Sequence, residues 1–165
     1  MAVILDLDME KCVACGACAV ACMDQNDIDV DYGPLRSVFH LEELKKDGIR
    51  HTYISTACMH CDDAPCIKGC PAGCLSKDEE TNLTIYDNTN CIGCHSCAMA
   101  CPFGAPQFNQ DNKMIKCDGC NERVKSGLKP ACVKICPFFA LKIYDEQEYS
   151  DAKLKKSLKA ITDQL

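Results

Sequence analysis

The sequence predicts an α+β fold in which one of two pseudo-symmetric modules is inserted in the other, with short β-hairpins and a C-terminal helix. Three observations support this expectation. Cysteines recur in four similarly spaced runs along the 165 residues, short β-branched segments lie between the runs, and apolar side chains repeat at helical intervals near the C-terminus. A motif that recurs within one chain indicates an internally repeated architecture.

The third cysteine run carries the most specific signal. Cys91, Cys94, Cys97 and Cys101 follow one another at steps of three, three and four residues, and Pro102 comes directly after the last. In bacterial ferredoxins this spacing gives three thiolates to one [4Fe–4S] cluster and the fourth to a neighbouring cluster. A zinc site is normally built from two well-separated pairs of ligands. The run therefore predicts iron–sulfur clusters and modules of the bacterial-ferredoxin type.

Three further runs repeat this spacing with variations. In the first, Met23 replaces the proline; the second is stretched by residues 62–65; the fourth contains an eleven-residue insert, residues 121–131. Their cysteines are Cys12, Cys15, Cys18 and Cys22; Cys58, Cys61, Cys66 and Cys70; and Cys117, Cys120, Cys132 and Cys136. The four runs together predict four [4Fe–4S] clusters, which leaves Cys74 as a buried small residue.

Each run holds three neighbouring thiolates, so every cluster needs a fourth ligand from another run. The simplest closed scheme pairs the second and third runs in an inserted module, residues 51–111, and the first and fourth runs in an outer module, residues 1–50 and 112–146. The predicted ligand sets are Cys12, Cys15, Cys18 with Cys136; Cys117, Cys120, Cys132 with Cys22; Cys58, Cys61, Cys66 with Cys101; and Cys91, Cys94, Cys97 with Cys70. A sequential pairing, first with second and third with fourth, is the alternative.

Short segments rich in β-branched residues predict strands between the runs. These strands cover residues 2–8, 51–57, 82–87 and 140–144. Residues 41–46 are predicted as a short polar helix, and the insert at residues 121–131 as a short helical excursion closed by Gly127 and Pro130.

The C-terminal segment, residues 147–165, predicts an amphipathic helix. Leu154, Leu158, Ile161 and Leu165 recur at steps of four, three and four, with lysines between them. Such a helix either packs on its own domain or docks onto a partner subunit.

The composition excludes several classes of protein. The chain has 17 cysteines and a formal net charge of −6, and an acidic chain without a basic stripe is not expected to bind nucleic acid. No apolar run approaches the length of about 20 residues that spans a membrane. The odd cysteine count and the lack of a secretory signal argue against disulfides and predict a cytoplasmic location, with co-export to the periplasm on a partner as the alternative.

Two histidines lie inside cysteine runs. His60 and His95 are interpreted as hydrogen-bonding or solvent-facing neighbours of the clusters rather than as ligands. Gly16, Gly93 and Gly119 also lie in the runs, where a missing Cβ lets backbone amides approach a cluster. His40 and His51 belong to no motif.

The segments Cys58–Cys66, Cys91–Pro102 and Cys117–Pro137 resemble the iron–sulfur subunits of the dimethyl sulfoxide reductase family. The likeness extends over about residues 8–144, and the insert before Cys132 is its most distinctive part. The resemblance implies the nested pairing and four [4Fe–4S] clusters in a chain. It also implies a molybdenum- or tungsten-containing catalytic subunit as partner, with a further electron-accepting subunit as a second one. Similar small subunits serve tungsten aldehyde oxidoreductases and benzoyl-CoA-reductase complexes.

The expected function follows from this resemblance. The chain would relay single electrons to or from a molybdenum- or tungsten-pterin catalytic subunit, and it would not be catalytic alone. Because Cys97 is present, we expect four complete clusters rather than a three-iron cluster at the third run. The alternative is a free soluble polyferredoxin that shuttles electrons among several enzymes.

Overall fold

The computed structural model describes residues 2–162, which contain short helices and two-stranded antiparallel sheets. The strands are β1 (Val3–Leu7), β2 (Ser37–Lys45), β3 (Gly48–Thr56), β4 (Leu75–Lys77), β5 (Thr84–Tyr86), β6 (Gln107–Phe108), β7 (Met114–Ile115) and β8 (Leu141–Asp145). The helices are α1 (Ala17–Gln25), α2 (Pro65–Lys68), α3 (Ser96–Ala100), α4 (Asn121–Lys125), α5 (Ala131–Ile135) and α6 (Glu146–Thr162). The predicted small α+β fold with a C-terminal helix is thus confirmed.

The first and last strands of the chain pair with each other. In the antiparallel ladder of β1 and β8, Val3 lies opposite Asp145 and Leu7 opposite Leu141. Helix α1 packs against α5, and α2 packs against α3. The helices of the first and fourth cysteine runs are therefore neighbours, and so are those of the second and third.

Two short hairpins complete the middle of the chain. Strand β4 pairs with β5, and β6 pairs with β7. The predicted strands at residues 2–8, 82–87 and 140–144 are confirmed as β1, β5 and β8. Of the strand predicted at residues 51–57, residues 51–56 form the second part of β3.

The helix predicted at residues 41–46 is wrong, because these residues belong to a long hairpin. Strand β2 pairs with β3 over nine residue pairs, from Ser37 opposite Thr56 to Lys45 opposite Gly48. Leu41 and Leu44 have helical spacing, but residues 46 and 47 form the tight loop of this hairpin, and Gly48 directly after it has a φ of 137°, which glycine adopts without strain. Strand β3, which is rich in β-branched residues, supplies backbone hydrogen bonds to this segment. A polar helix of six residues would be too short to be stable without such partners.

The insert in the fourth run folds as expected, while the C-terminal helix differs in one respect. Helix α4 ends before Gly127, which has a φ of 74°. Helix α6 confirms the predicted C-terminal helix, although Leu165 lies outside the described residues. Its apolar side chains Leu154, Leu158 and Ile161 are 60%, 54% and 60% exposed, so they do not pack on the described part of their own domain.

Cysteines form a large part of the buried interior. One core cluster joins Leu75 and Met114 with Cys66, Cys74 and Cys97. The other joins Leu141 with Cys18 and Cys132. Because few large apolar side chains are buried beside these thiols, bound metal is expected to carry part of the stability.

Candidate metal centres

Three cavities are each lined by four or five cysteines, and we name them after one of their residues. The Cys12 cavity is lined by Cys12, Cys15, Cys18 and Cys136; the Cys117 cavity by Cys22, Cys117, Cys120 and Cys132; and the Cys91 cavity by Cys70, Cys74, Cys91, Cys94 and Cys97. Two cavities combine the first and fourth runs, and the third combines the second and third runs. These groupings match three of the ligand sets in the nested pairing, with Cys74 as an additional neighbour.

The remaining predicted ligands, Cys58, Cys61, Cys66 and Cys101, are called the Cys58 group. Burial raises the pKa of Cys66, and the charges of Cys58 and Cys101 raise it further. Burial also lowers the pKa of Lys77, against the charges of Asp62, Cys58 and Cys61. These interactions act over short distances, so they indicate that the four thiols of the group lie in one region of the molecule.

Backbone amides point at the last cysteine of three runs. The N–H groups of Cys74, Ala105 and Ala140 donate to the Sγ atom four residues earlier, at 3.3, 3.4 and 3.3 Å. The cysteine that accepts each bond is followed by a proline, which cannot continue the helix before it. The chain therefore turns back and presents an amide to the sulfur.

In the first run an amide group reaches the last cysteine, Cys22, without a turn at a proline. Met23 replaces the proline, so α1 continues past Cys22 to Gln25. The Asn26 side chain then donates from Nδ2 to Cys22 Sγ at 3.7 Å and to the Cys22 carbonyl oxygen at 2.7 Å. In this run a side-chain amide thus reaches the sulfur, together with the backbone of Leu35.

A left-handed residue follows the first cysteine of every run by two positions. These residues are Ala14, His60, Gly93 and Gly119, with φ values of 53°, 47°, 65° and 74°. At two of them the backbone N–H donates to the preceding cysteine, His60 to Cys58 Sγ at 3.5 Å and Gly119 to Cys117 Sγ at 3.4 Å. The conformation costs roughly 1–2 kcal/mol in a residue with a Cβ, and a Cβ at Gly119 would also lie 2.8 Å from the Leu83 side chain.

Thiol ionisation differs sharply between the cavities. Desolvation raises the pKa of Cys117 to about 12 and that of Cys22 to about 11. At the exposed Cys94, hydrogen bonds from the Ser96 hydroxyl and backbone lower the pKa instead. Metal binding in the Cys117 cavity must therefore displace protons from thiols with a raised pKa, whereas Cys94 forms its thiolate more readily.

The donor set fits iron–sulfur clusters. All 17 cysteines are free thiols, and thiolates are the ligands that hold such clusters. The N–H···S hydrogen bonds described above are of the kind that stabilises cluster sulfurs and adjusts their reduction potentials. The grouped cysteines can therefore hold [4Fe–4S] clusters without further ligands.

Comparison with known proteins identifies the family. A model for the 4Fe–4S dicluster domain matches residues 49–146, which is more than half of the protein. The chain belongs to the 4Fe–4S dicluster family. Its [4Fe–4S] cofactors and its expected role as an electron-transfer protein are thereby confirmed.

Three curated relatives illustrate the similarity. The protein is 39% identical over 143 residues to the B subunit of the anaerobic dimethyl sulfoxide reductase of Escherichia coli K12, and the match covers 82% of this protein and 69% of the relative. It is 32% identical over 188 residues to the arsenate respiratory reductase iron–sulfur subunit of Shewanella sp. ANA-3, covering 84% and 80%. It is 34% identical over 158 residues to the nitrate-inducible formate dehydrogenase iron–sulfur subunit of Escherichia coli K12, covering 86% and 54%. The predicted resemblance is confirmed.

No helix within residues 2–162 is long and apolar enough to cross a membrane.

A buried arginine lies among the cysteines of two cavities. Arg36 is 5% exposed, and its Nη1 donates to the Ser55 carbonyl oxygen at 3.3 Å and to the Ser55 hydroxyl at 3.1 Å. That hydroxyl lies 3.2 Å from Cys18 Sγ. Because its oxygen accepts from Arg36, its own proton is available to the sulfur.

The surrounding thiols favour the charge of this arginine. Burial opposes the charge of Arg36, but interactions with Cys132, Cys117 and Cys18 raise its pKa overall. The sequence gives no signal for Arg36, because a single arginine between two runs belongs to no motif. Only the fold shows that it links the Cys12 and Cys117 cavities.

His60 connects the second run to the fourth. The Thr84 N–H donates to His60 Nδ1 at 3.0 Å, so the ring proton lies on Nε2, which is 3.9 Å from Cys117 Sγ. Desolvation, together with the charges of Lys116 and Lys77, lowers the pKa of His60 to about 3. The imidazole is therefore neutral and directs an N–H toward the thiol of another run. His95, by contrast, stacks on Phe108 with ring centroids 3.7 Å apart.

A cluster of polar side chains connects α4 with the β4–β5 hairpin. It consists of Asp78, Asn121 and Lys125, and we call it the Asp78 joint. Asp78 is 7% exposed, accepts a hydrogen bond from Asn121 Nδ2 at 3.0 Å, and pairs with Lys125 at 2.5 Å. The bond from Lys125 is the largest cause that holds the pKa of Asp78 well below its usual range, with Asn121 and the Thr81 N–H contributing. The aspartate thus stays ionised and fixes the two segments together.

Proposed function

We propose that this chain is the electron-transfer subunit of an oxidoreductase complex, and that it relays single electrons through four [4Fe–4S] clusters to or from a molybdenum- or tungsten-containing catalytic subunit. The single observation that carries this proposal is the grouping of cysteines from paired runs in the Cys12, Cys117 and Cys91 cavities. Relatives whose names describe iron–sulfur subunits of a reductase and of a dehydrogenase support the catalytic partner.

The proposed ligand sets are those of the nested pairing. They are Cys12, Cys15, Cys18 and Cys136; Cys22, Cys117, Cys120 and Cys132; Cys58, Cys61, Cys66 and Cys101; and Cys70, Cys91, Cys94 and Cys97. The β1–β8 ladder and the α1–α5 and α2–α3 contacts support this pairing over the sequential one, since each joins elements of the paired runs.

The proposed modules follow the same pairing, with adjusted boundaries. The predicted boundary at residues 50 and 51 falls inside β3, and that at residues 111 and 112 falls between β6 and β7. A hairpin folds as a unit, so we place the inserted module at about residues 57–116, after β3 and after β7. The Met114 N–H supports the second boundary, because it donates to Cys91 Sγ at 3.3 Å.

The order of the centres along the molecule is proposed to run from the Cys12 cavity through the Cys117 cavity and the Cys58 group to the Cys91 cavity. Three contacts support this order. Cys18 and Cys132 share one core cluster, and Cys66 and Cys97 share the other. Between them, His60 donates its backbone N–H to Cys58 and lies against Cys117 through its ring.

The two ends of this order face solvent. Cys15 in the Cys12 cavity and Cys94 in the Cys91 cavity are exposed, whereas the cysteines of the Cys117 cavity and the Cys58 group are buried or partly buried. Exposed apolar side chains border both ends, Phe138 (47%) at the first and Ile92 (69%) at the second. Such surfaces suit docking partners, so electrons would enter at one end and leave at the other.

The chain's own residues have defined tasks in this relay. Bound clusters supply the one-electron carriers. The cysteines hold the sites in order, the backbone amides donate to ligand sulfurs, and Arg36 places a positive charge between the Cys12 and Cys117 cavities. Exposed Leu154, Leu158 and Ile161 on α6 offer a further apolar surface to a partner subunit.

The complex purified anaerobically from the native host tests the function. We expect about 16 iron atoms per copy of this chain, after subtraction of iron in the partners, and molybdenum or tungsten in the same fractions. The same iron content on a protein that elutes alone, with neither metal, would contradict the subunit assignment and favour the free polyferredoxin.

Paired substitutions test the ligand sets. In the nested scheme Cys15 and Cys136 serve the same cluster, so the Cys15→Ala, Cys136→Ala double variant should lose about 4 iron atoms, no more than either single variant. In the sequential scheme they serve different clusters, and the double variant would lose about 8. The pair Cys15→Ala, Cys120→Ala is the matched control, because both schemes predict loss of two clusters.

A further inference from the structure

The β2–β3 hairpin brings together three polar side chains that belong to no cysteine run. Glu42 faces His51 across the ladder, and His40 lies two residues before Glu42 on the same face. His40 Nε2 lies 2.9 Å from His51 Nδ1, and Glu42 Oε1 lies 3.7 Å from the first nitrogen and 3.5 Å from the second. Three potential ligand atoms therefore converge on one point of the hairpin surface.

The distances fit a tetrahedral metal ion. Zinc lies about 2.0–2.2 Å from imidazole nitrogen and carboxylate oxygen, so tetrahedral ligand atoms are separated by about 3.3–3.6 Å. The observed separations of 2.9, 3.5 and 3.7 Å bracket this range. An ion at the centre would therefore require shifts of only a few tenths of an ångström in flexible side chains.

The three side chains are accessible to solvent, and a neighbouring ring holds one of them in place. The side chains of His40, Glu42 and His51 are 43%, 58% and 45% exposed. The His40 ring also packs against Tyr53, with centroids 4.7 Å apart. One ligand is thus held by its neighbour across the ladder, and a fourth coordination position is open to water.

We propose that His40 Nε2, His51 Nδ1 and Glu42 Oε1 form a mononuclear site for a divalent transition-metal ion such as Zn²⁺, separate from the iron–sulfur centres. Two imidazoles and one carboxylate select this class of ion, whereas the cysteine cavities offer only thiolates. The ligand that this site takes is the metal ion itself, with water completing the coordination.

Zinc titration of the anaerobically purified, cluster-loaded protein tests the proposal. Calorimetry should show one Zn²⁺ bound per chain, with iron content and cluster absorbance unchanged. His51→Ala, His40→Ala and Glu42→Gln should each weaken binding at least tenfold, because each removes one of three protein ligands. Glu43→Gln is the matched control, since Glu43 lies on the opposite face of the hairpin and pairs with Lys45, and it should bind as the wild type does.

X-ray absorption at the zinc edge identifies the ligands directly. The site predicts nitrogen and oxygen neighbours at about 2.0–2.2 Å, whereas zinc taken up by cysteines would show sulfur at about 2.3 Å. Sulfur neighbours, displaced iron or equal binding by the wild type and the His51→Ala variant would each overturn the proposal. In that case the three side chains only contact one another on the hairpin surface.

Discussion

The Cys117 and Cys91 cavities are built from the same sequence pattern but differ in their surroundings. In each, one run lines the cavity with three thiols and another run with one, and Cys74 is an additional neighbour in the Cys91 cavity. In the Cys117 cavity Cys22 and Cys132 are buried, and desolvation raises the pKa of Cys117 to about 12. In the Cys91 cavity Cys94 is exposed, and hydrogen bonds from Ser96 lower its pKa.

The difference teaches that position in the fold, not the motif, decides what each site can do. The Cys117 cavity is lined by Arg36 and lies against His60, and Asp78 holds the helix that follows Cys120, so three side chains from other parts of the chain surround it. The Cys91 cavity opens toward solvent beside Ile92, which is 69% exposed. An interior site suits transfer within the chain, and an open site suits exchange with a partner.

The largest contrast is expected from removal of one ligand at each site. Cys117→Ser should remove about 4 iron atoms and lower the thermal midpoint strongly, because metal binding there would join buried thiols from the first and fourth runs. Cys94→Ser should leave the fold intact, with a smaller change in the midpoint, because its surroundings are exposed. Iron analysis and thermal unfolding of both anaerobic variants measure this contrast, and equal loss of stability would contradict it.

The Asp78 joint should have the next largest effect. Asp78→Asn loses the charged hydrogen bonds to Lys125 and Asn121 and should destabilise the protein by about 1–3 kcal/mol at neutral pH. The pKa of Asp78 is lower in the folded state than in the unfolded state. Its charge therefore stabilises the folded protein at pH values above the unfolded-state pKa of about 4, and this stabilisation declines as pH falls below that value.

Denaturant unfolding across this pH range provides the check. The difference between wild type and Asp78→Asn should shrink as pH falls below about 4. Glu79→Gln, a neighbouring exposed carboxylate, serves as the control. A difference that stays constant with pH would show that the joint does not depend on the charge of Asp78.

Arg36 should set reduction potentials without affecting iron content. A buried positive charge favours the more negative, reduced cluster, so Arg36→Gln should lower the reduction potentials of the Cys12 and Cys117 centres. The expected shift is on the order of 60 mV, which is a tenfold change in the equilibrium constant of a one-electron reduction. The Cys91 centre should change little. Potentiometric titration followed by electron paramagnetic resonance measures these shifts, with exposed Arg50→Gln as control; a uniform shift of all centres would argue against the placement of Arg36.

The smallest effect is expected at Cys74. This residue is 5% exposed and lines the Cys91 cavity, yet its N–H donates to Cys70 Sγ at 3.3 Å, and that bond comes from the backbone. Cys74→Ala preserves the backbone amide and should retain all iron. Loss of about 4 iron atoms would instead make Cys74 a ligand in place of Cys70.

Several elements could not be predicted from the sequence, for a physical reason. Helices α1, α2, α3 and α5 each contain the third cysteine of a run, but they are only 9, 4, 5 and 5 residues long. Segments this short contain too few turns to show helical periodicity, and they are held by packing rather than by intrinsic propensity. The same limit produced the wrong helix at residues 41–46, where two leucines mimic a helical repeat that the hairpin register overrides.

The sequence by itself determined the chemistry of this protein. Thiol spacing along a chain is a local property, so the runs, the iron–sulfur cofactors and the expected family could be inferred from residue order alone. The strands at both ends and the C-terminal helix followed from local patterns as well.

Only the tertiary structure decided which distant side chains meet. Arg36 and Ser55 reach Cys18, His60 reaches Cys117, and Asp78 reaches Lys125 through contacts that no spacing rule encodes. His40 and His51 likewise belong to no motif, and they converge only because the β2–β3 register sets them on one face. Burial and charge act through space, so the environment of each centre depends on packing between segments far apart in the chain.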